Sequence, residues 1–385
     1  MKRPVRCAIM RGGTSKAVVF ASPDLPGHPE ARDRLILAAF GSPDPRQVDG
    51  LGGADPLTSK AAIVGRSTLP DADVDYTFAQ VGIAAPVVSY AVSCGNTAAA
   101  VALYAAEEQL VPRLNGSTPV RIHCTNNGKR ILASVMSNGA GPAPDPASPA
   151  AAVTQRGSTV KLEFLDPGGG DTGRLLPSGA PQDEIRLANG TRVRFSLVDC
   201  GNLYAIIPAD TWSLTGSESP AELDCAPDLL RAIEEVREAV SAQFLDDDGR
   251  SLPQGRRSAR LKVALVGRPT DVGDEASGPL NERRTQLVAR IVNPERVHKA
   301  FAVTGAMNLA AAAGIPGTVV AEMLDQPLPP QGGVFRIRHP QGVITPEVEF
   351  STDPGSPGIR SIRIERTARR IMDGFVYVPG EEPQS

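Results

Sequence analysis

Short apolar runs alternate with turn-forming residues along the first third of the chain. Residues 6–10 read as a strand, the turn Arg11-Gly12-Gly13-Thr14-Ser15 follows, and residues 17–20 read as the next strand. Residues 61–64 and 74–81 predict two more, and residues 85–93 another with Pro86 near its start. The period then changes. Residues 96–111 (NTAAAVALYAAEEQLV) are strong helix formers, and Pro112 cannot continue a helix. The first ten of them are small or apolar on every side, so this helix is expected to be buried all round. Residues 229–243 (LLRAIEEVREAVSAQ) carry charge on one face and Leu, Ile and Val on the other. They predict an amphipathic helix on the outside of a second domain. Segment 137–158 (SNGAGPAPDPASPAAAVTQRGS) reads as a loop, and the glycine runs at 168–170 and 332–333 read as turns.

Three segment pairs recur in the same order. GTSKAVVF (13–20) matches GNLYAIIP (201–208), SKAAIVGR (59–66) matches LKVALVGR (261–268), and SCGNTAAAVA (93–102) matches VTGAMNLAAAA (303–313). Lys60 falls over Lys262, and Gly95 over Gly305. The repetition predicts an α/β (α+β) chain of two similar domains, each a barrel-like sheet of short strands wrapped round one buried helix. The expected spans are 1–188 and 189–385, with the last strand returning to the first domain. A cleft between two such halves is the usual place for a ligand.

Composition narrows the function classes. At 385 residues the chain is too long for one ordinary domain. Hydrophobic residues (41%) and charged residues (22%) are those of a soluble globular protein, and the 4% of aromatics makes the core aliphatic. Net charge is −3, and no segment is strongly basic, only short pairs such as those at 256–257 and 369–370. This excludes nucleic-acid binding, which needs a concentrated positive face. No run approaches the roughly 20 apolar residues of a membrane helix, and the apolar residues 17–21 are too few for a signal-peptide core. The five cysteines are odd in number with no CxxC pair, and the four histidines form no HExxH. Neither a disulfide framework nor a metal site is expected, and a reducing cytoplasm is the natural compartment. There is no Walker A spacing and no GxGxxG after a strand, so no nucleotide or other cofactor is expected. The sequence is compatible with a homo-oligomer.

Two residues stand out chemically. Cys94 lies between a strand-like run and the alanine-rich helix, where a helix dipole favours the thiolate. It reads either as an acid–base group or as a buried structural cysteine. Lys60 enters an apolar strand, where desolvation disfavours its charged form. It reads either as an acid–base group or as a side chain reaching back to solvent. The turn Arg11-Gly12-Gly13-Thr14-Ser15-Lys16 offers N–H groups, hydroxyls and cations to a carboxylate, and the helix start at Gly95 and Asn96 offers more N–H groups.

With these residues the sequence resembles the family of 2-methylaconitate isomerases (PrpF), 4-oxalomesaconate tautomerases and itaconate isomerases. The resemblance rests on RGGTSKAVVF (11–20), GGADPLTSKAAIV (52–64), DADVDYTFAQV (71–81), SCGN (93–96), VDCGN (198–202), TGAMNLAAAAGIPGTVV (304–320), HPQGVI (339–344) and RTARRIMDGFVYVP (366–379). It implies a diaminopimelate-epimerase-like fold with the site between two barrels. It implies that Lys60 and Cys94 are the catalytic pair. It puts substrate contacts at Arg11, Gly12, Gly13, Thr14, Ser15, Lys16, Ser59, Gly95, Asn96, Thr304 and Gly305. The implied activity is a cofactor-independent shift of a proton and a double bond on a small unsaturated polycarboxylate. Ala17 replaces the family's usual glycine, and Gln341 a usual serine; the second bears on which acid is used. A cofactor-free epimerase of the same fold would use a second cysteine where this chain has Thr304. The other alternative is a non-catalytic carboxylate-binding protein.

Overall fold

The computed structural model describes residues 2–136, 157–245, 261–269, 285–293, 296–351 and 358–379. Residues 137–156 of the expected loop, and Arg256 and Arg257, lie outside these. In chain order the described elements begin with β1 (Lys2–Gly12), β2 (Ser15–Ala21), α1 (Pro29–Phe40), β3 (Lys60–Arg66), β4 (Val74–Val81), β5 (Val88–Ser89), α2 (Gly95–Glu107), β6 (Ser117–Cys124), β7 (Arg130–Met136) and β8 (Ser158–Leu165). There follow β9 (Asp183–Arg186), β10 (Arg192–Asp199), β11 (Leu203–Pro208), α3 (Pro220–Asp224), α4 (Pro227–Phe244), β12 (Lys262–Gly267), β13 (Leu287–Val292), α5 (Val303–Ala313) and α6 (Val319–Met323). The last strands are β14 (Gly332–Val334), β15 (Ile337–His339), β16 (Gly342–Ile344), β17 (Glu347–Phe350) and β18 (Ile359–Pro379). Among the described residues no helix is long and apolar enough to cross a membrane.

Contacts divide the chain into two units. One holds Met1–Pro144, Val153–Glu163 and Glu365–Ser385, and the other is built on Phe164–Ile364. The chain leaves the first unit at Glu163, ahead of the 188/189 boundary expected from sequence.

In the first unit the strand order is β1-β2-β3-β4-β6-β7-β8, with β5 beside β4. β18 neighbours both β8 and β1, so the sheet closes on itself. α2 lies inside and touches β1, β2, β3, β4, β6 and β7. Its residues from Gly95 to Ala106 are all buried, because alanine is slim enough for strands to approach on every side. The helix ends at Glu107, short of Val111, because Gln109 turns the chain out with φ +56°. Strand alternation gives the sheet two faces. Val18, Phe20, Ala61, Ile63, Ala79 and Val81 pack outward against Leu35, Ile36, Ala39 and Phe40 of α1. Each such buried aliphatic or aromatic side chain contributes about 1.5–3 kcal/mol. The alternate positions, Lys60, Ala62 and Val64 on β3 with Gln80, Phe78 and Tyr76 opposite them on β4, share the other face.

Three local readings differ from the structure. Only Val88 and Ser89 of the expected strand 85–93 pair with β4, since Pro86 offers no N–H to a ladder. Gly332 and Gly333 belong to β14, an edge strand paired with β17, and not to a turn. α1 was not expected at all, although Pro29 at its first turn and Gly41 at its left-handed cap (φ +69°) are ordinary helix signals.

The second unit carries a sheet of order β16-β15-β13-β12-β11-β10-β9. α4 covers one face, with Ile233, Val236 and Val240 packed against Phe195, Ala205, Ile207, Val263 and Leu265. The fully buried α5 touches β10 and β11. The pairing repeats that of the first unit. β1/β2 and β10/β11 are antiparallel, β2/β3 and β11/β12 parallel, and β3/β4 and β12/β13 antiparallel. Gly13 (φ +50°) and Gly201 (φ +84°) turn the chain at matching points. Lys60 opens β3 beside Ala17, and Lys262 opens β12 beside Tyr204.

Candidate active site

β4 assembles the first-unit candidates. Its residues 76, 78 and 80 project from one face at intervals of about 7 Å. Gln80 Oε1 accepts a 2.8 Å hydrogen bond from the buried Lys60 Nζ, which also lies 5.2 Å from the centre of the Phe78 ring. Gln80 is itself fixed, its Nε2 donating to the carbonyls of Ser59 (2.8 Å) and Pro56 (3.2 Å). Tyr76 donates its hydroxyl to the Cys94 carbonyl at 3.1 Å. Burial first, then the nearby Cys94, holds the Tyr76 phenol well above its ordinary pKa, so it remains a donor. Sequence reasoning missed Tyr76, Phe78 and Gln80. The alternation in VDYTFAQV carried the signal, but only the register of β3 against β4 shows that they meet Lys60.

Cys94 is the extended residue that precedes α2, half-buried, with its carbonyl accepting from Ala98 N at 3.0 Å. Gly95, Asn96 and Thr97 are buried, and their N–H groups find no acceptor among the described residues, as expected for the first turn of a helix. The RGGTSK turn is packed onto this helix start. A Cβ on Gly12 would run into the Asn96 carbonyl oxygen, and one on Gly13 into Asn96 Oδ1. Asn96 Nδ2 donates to Thr14 Oγ1 at 3.2 Å. Arg11 is buried, and its Nη1 ties the turn to β18 through the Thr367 carbonyl (3.1 Å) and hydroxyl (2.9 Å). Burial, then the charge of Arg369, pushes the Arg11 pKa down. Lys16 is half-buried, lowered by burial, with Nζ 3.4 Å from the Leu51 carbonyl. Ser15 is a buried residue opposite Gly12 in the β1/β2 pair. Ser59 is buried too, its hydroxyl donating to the Val81 carbonyl and accepting from Gln47.

The sequence model of the PrpF protein family matches residues 1–379. The chain belongs to the PrpF family. The 3-methylitaconate isomerase of Eubacterium barkeri is 38% identical over 97% of each chain. The (4E)-oxalomesaconate Delta-isomerase of Novosphingobium sp. (strain KA1) is 36% identical over the same shares. The 2-methyl-aconitate isomerase of Shewanella oneidensis is 31% identical, again over 97% of each. The crystal structure of a methylitaconate-delta-isomerase superposes with a TM-score of 0.72 at 37% identity, covering 98% of this chain and 96% of that one. A hydroxyproline epimerase from Agrobacterium vitis, 14% identical, shares the fold at a TM-score of 0.59, covering 98% and 94%. This PrpF-family chain is thus an enzyme of the isomerase class with a diaminopimelate-epimerase-like fold.

The remaining candidates, Thr304 and Gly305, belong to the second unit of this PrpF-family chain. α5 begins at Val303, so Thr304 is its second residue, whereas Cys94 stands just before α2. Thr304 Oγ1 accepts from Asn202 Nδ2 at 3.0 Å. Asn308, one turn on, donates to the carbonyls of Cys200 and Asn202 and accepts from Cys200 N. A Cβ on Gly305 would come within 2.6 Å of Ile291 Cδ1, so glycine lets α5 lie close on the sheet. Lys262 Nζ sits 5.7 Å from the centre of the Tyr204 ring.

Proposed function

We propose that this chain is a cofactor-independent allylic isomerase of a small unsaturated di- or tricarboxylic acid, with Lys60 and Cys94 as its acid–base pair. Substrates of the methylitaconate, oxalomesaconate or methylaconitate type are suggested by the names of its relatives. The observation that carries the reading is the shared face of β4. That one face holds the Lys60 amine through Gln80 and the Cys94 carbonyl through Tyr76.

One of the pair removes an allylic proton. The electron pair left on carbon delocalises toward the carboxylate, the double bond shifts, and the other group returns a proton at the far end of the allyl system. Charge grows on the carboxylate oxygens during this step. The N–H groups of Gly95, Asn96 and Thr97 can stabilise it without reorganising, and the cations Arg11 and Lys16 of the RGGTSK turn add to the field. Nothing in this sequence of steps requires a metal or an organic cofactor.

The test is turnover and exchange in D₂O, followed by NMR over a panel of itaconates, aconitates and oxalomesaconate. Wild-type protein should introduce solvent deuterium at one allylic position. Lys60→Ala and Cys94→Ser should each lose roughly 10²–10⁴-fold in turnover, the usual worth of one acid–base group, with unchanged circular dichroism. Near-wild-type turnover in either folded variant would make that residue a bystander. Binding with no exchange at all would favour a carboxylate-binding protein.

A further inference from the structure

The stretch RTARRIMDGFVYVP carries two arginines with opposite relations to one helix. Alternate residues of β18 reach α2. Arg370 meets its C-terminal end, where Nε contacts Glu107 at 2.6 Å and Nη2 contacts Glu108 at 2.9 Å. Cations are stabilised at that end of a helix. Burial works to lower the Arg370 pKa, and the two carboxylates outweigh it, leaving it above its ordinary value. Arg366 lies at the N-terminal end, where its Nε donates to Asn96 Oδ1 at 3.1 Å and its Nη1 to the Glu365 carbonyl. A cation there stands against the positive pole of the helix.

Among the described residues Arg366 has no ion-pair partner, and its Nη2 makes no hydrogen bond. Its side chain packs on the turn, with Cδ 3.1 Å from where a Cβ on Gly13 would stand. It is only partly covered at the surface, yet burial pushes it down to about 10, against the weaker pull of Glu365. A guanidinium with no ion-pair partner and the unbonded N–H groups of a helix start therefore share one place. Arg366 is hydrogen-bonded there through Nε and Nη1, but its charge stands against the helix pole with no counter-charge. A bound carboxylate would answer both the guanidinium and the N–H groups, and a guanidinium suits its two oxygens.

We propose that Arg366 is a substrate-binding residue that holds one carboxylate of the substrate at the N-terminal end of α2, with Asn96 fixing its orientation. This rests on the reading of the chain as an isomerase of polycarboxylates.

The experiment is isothermal titration of the full chain with tricarballylate, a saturated tricarboxylate with no double bond to move, together with melting of the ligand-free protein. Arg366→Gln should weaken binding roughly 10–100-fold, the range for losing hydrogen bonds to a charged group. Arg366→Lys, which keeps the charge but not the fork, should fall between. The ligand-free melting temperature should hold or rise in Arg366→Gln, because a cation has left the positive end of a helix, and should hold in Arg366→Lys. Arg370→Gln should do the reverse, lowering the melting temperature and leaving affinity unchanged. Wild-type affinity in Arg366→Gln would overturn the proposal. So would a fall in melting temperature matching the loss of affinity in both Arg366 variants, or failure of both to fold, since Arg366 would then be structural. If the wild-type chain did not bind tricarballylate at any concentration, the polycarboxylate reading itself would fall, and the role of Arg366 with it.

Discussion

Gly13 has two independent reasons to be glycine. Its φ of +50° is a conformation that other residues enter at a cost of roughly 1–2 kcal/mol. A Cβ would also collide with Asn96 Oδ1, and overpacking costs about 1–3 kcal/mol. Gly13→Ala should therefore lose about 2–5 kcal/mol in urea unfolding. An unfolding midpoint equal to wild type would mean that the turn and the helix start are not braced against each other. Lys60 and Cys94 stood out in the sequence as candidates because each is a local anomaly, a cation in an apolar strand and a thiol at a strand-to-helix junction. Arg366 did not. It is one of three arginines within five positions, 366–370, and composition cannot tell which of them faces a helix, or which end. That distinction depends on the register of β18 against β1, where Arg370 pairs with Met10 and Arg369 with Arg11.

Among the elements, α2 and the β3/β4 pair were read well because each has a strong and pure period. α1 was missed because its mixed sequence PEARDRLILAAF shows no clean stripe, and its termini carry the signal instead. The start of β4 is held by Asp73, whose carboxylate accepts from Arg121 N at 2.7 Å and from Arg121 Nη2 at 2.6 Å. The Arg121 side chain, opposed by partial burial and aided by the Arg121 N–H, holds this carboxyl below its ordinary pKa. A depressed carboxyl contributes stability above its unfolded value, near 4, and that contribution is lost as pH falls through the folded value. Wild-type protein should thus lose stability on acidification below about pH 4. Asp73→Asn should be less stable than wild type at pH 7, by about 1–2 kcal/mol for a partly exposed pair, and should lose less on acidification. Denaturant melts at pH 7 and pH 3 measure both. Parallel pH curves for the two proteins would remove Asp73 from the acid response.

At the level of the whole molecule, the internal repeats announced the matching strand–turn–strand and helix in each half. The same pairing pattern in the two units bears this out. The sequence repeats could not locate the boundary, because they mark equivalent positions and not the junction between them. β18 adds something that neither repeat contains. Its last residues lie along β1 from Ala368 opposite Gly12 to Pro379 opposite Lys2, so strands far apart in the sequence are neighbours in one sheet. A ribosome releases β1 long before this partner. Until the final residues emerge, β1 keeps an open edge, and the barrel round α2 stays unsealed while more than two hundred intervening residues are made. A chain stopped after Ile364 should therefore collect as aggregate or be degraded, and supplying residues 365–385 as a separate peptide during refolding should recover soluble protein. A soluble, cooperatively melting product from the shortened chain alone would show that the first unit folds as it is synthesised, without waiting for its last strand.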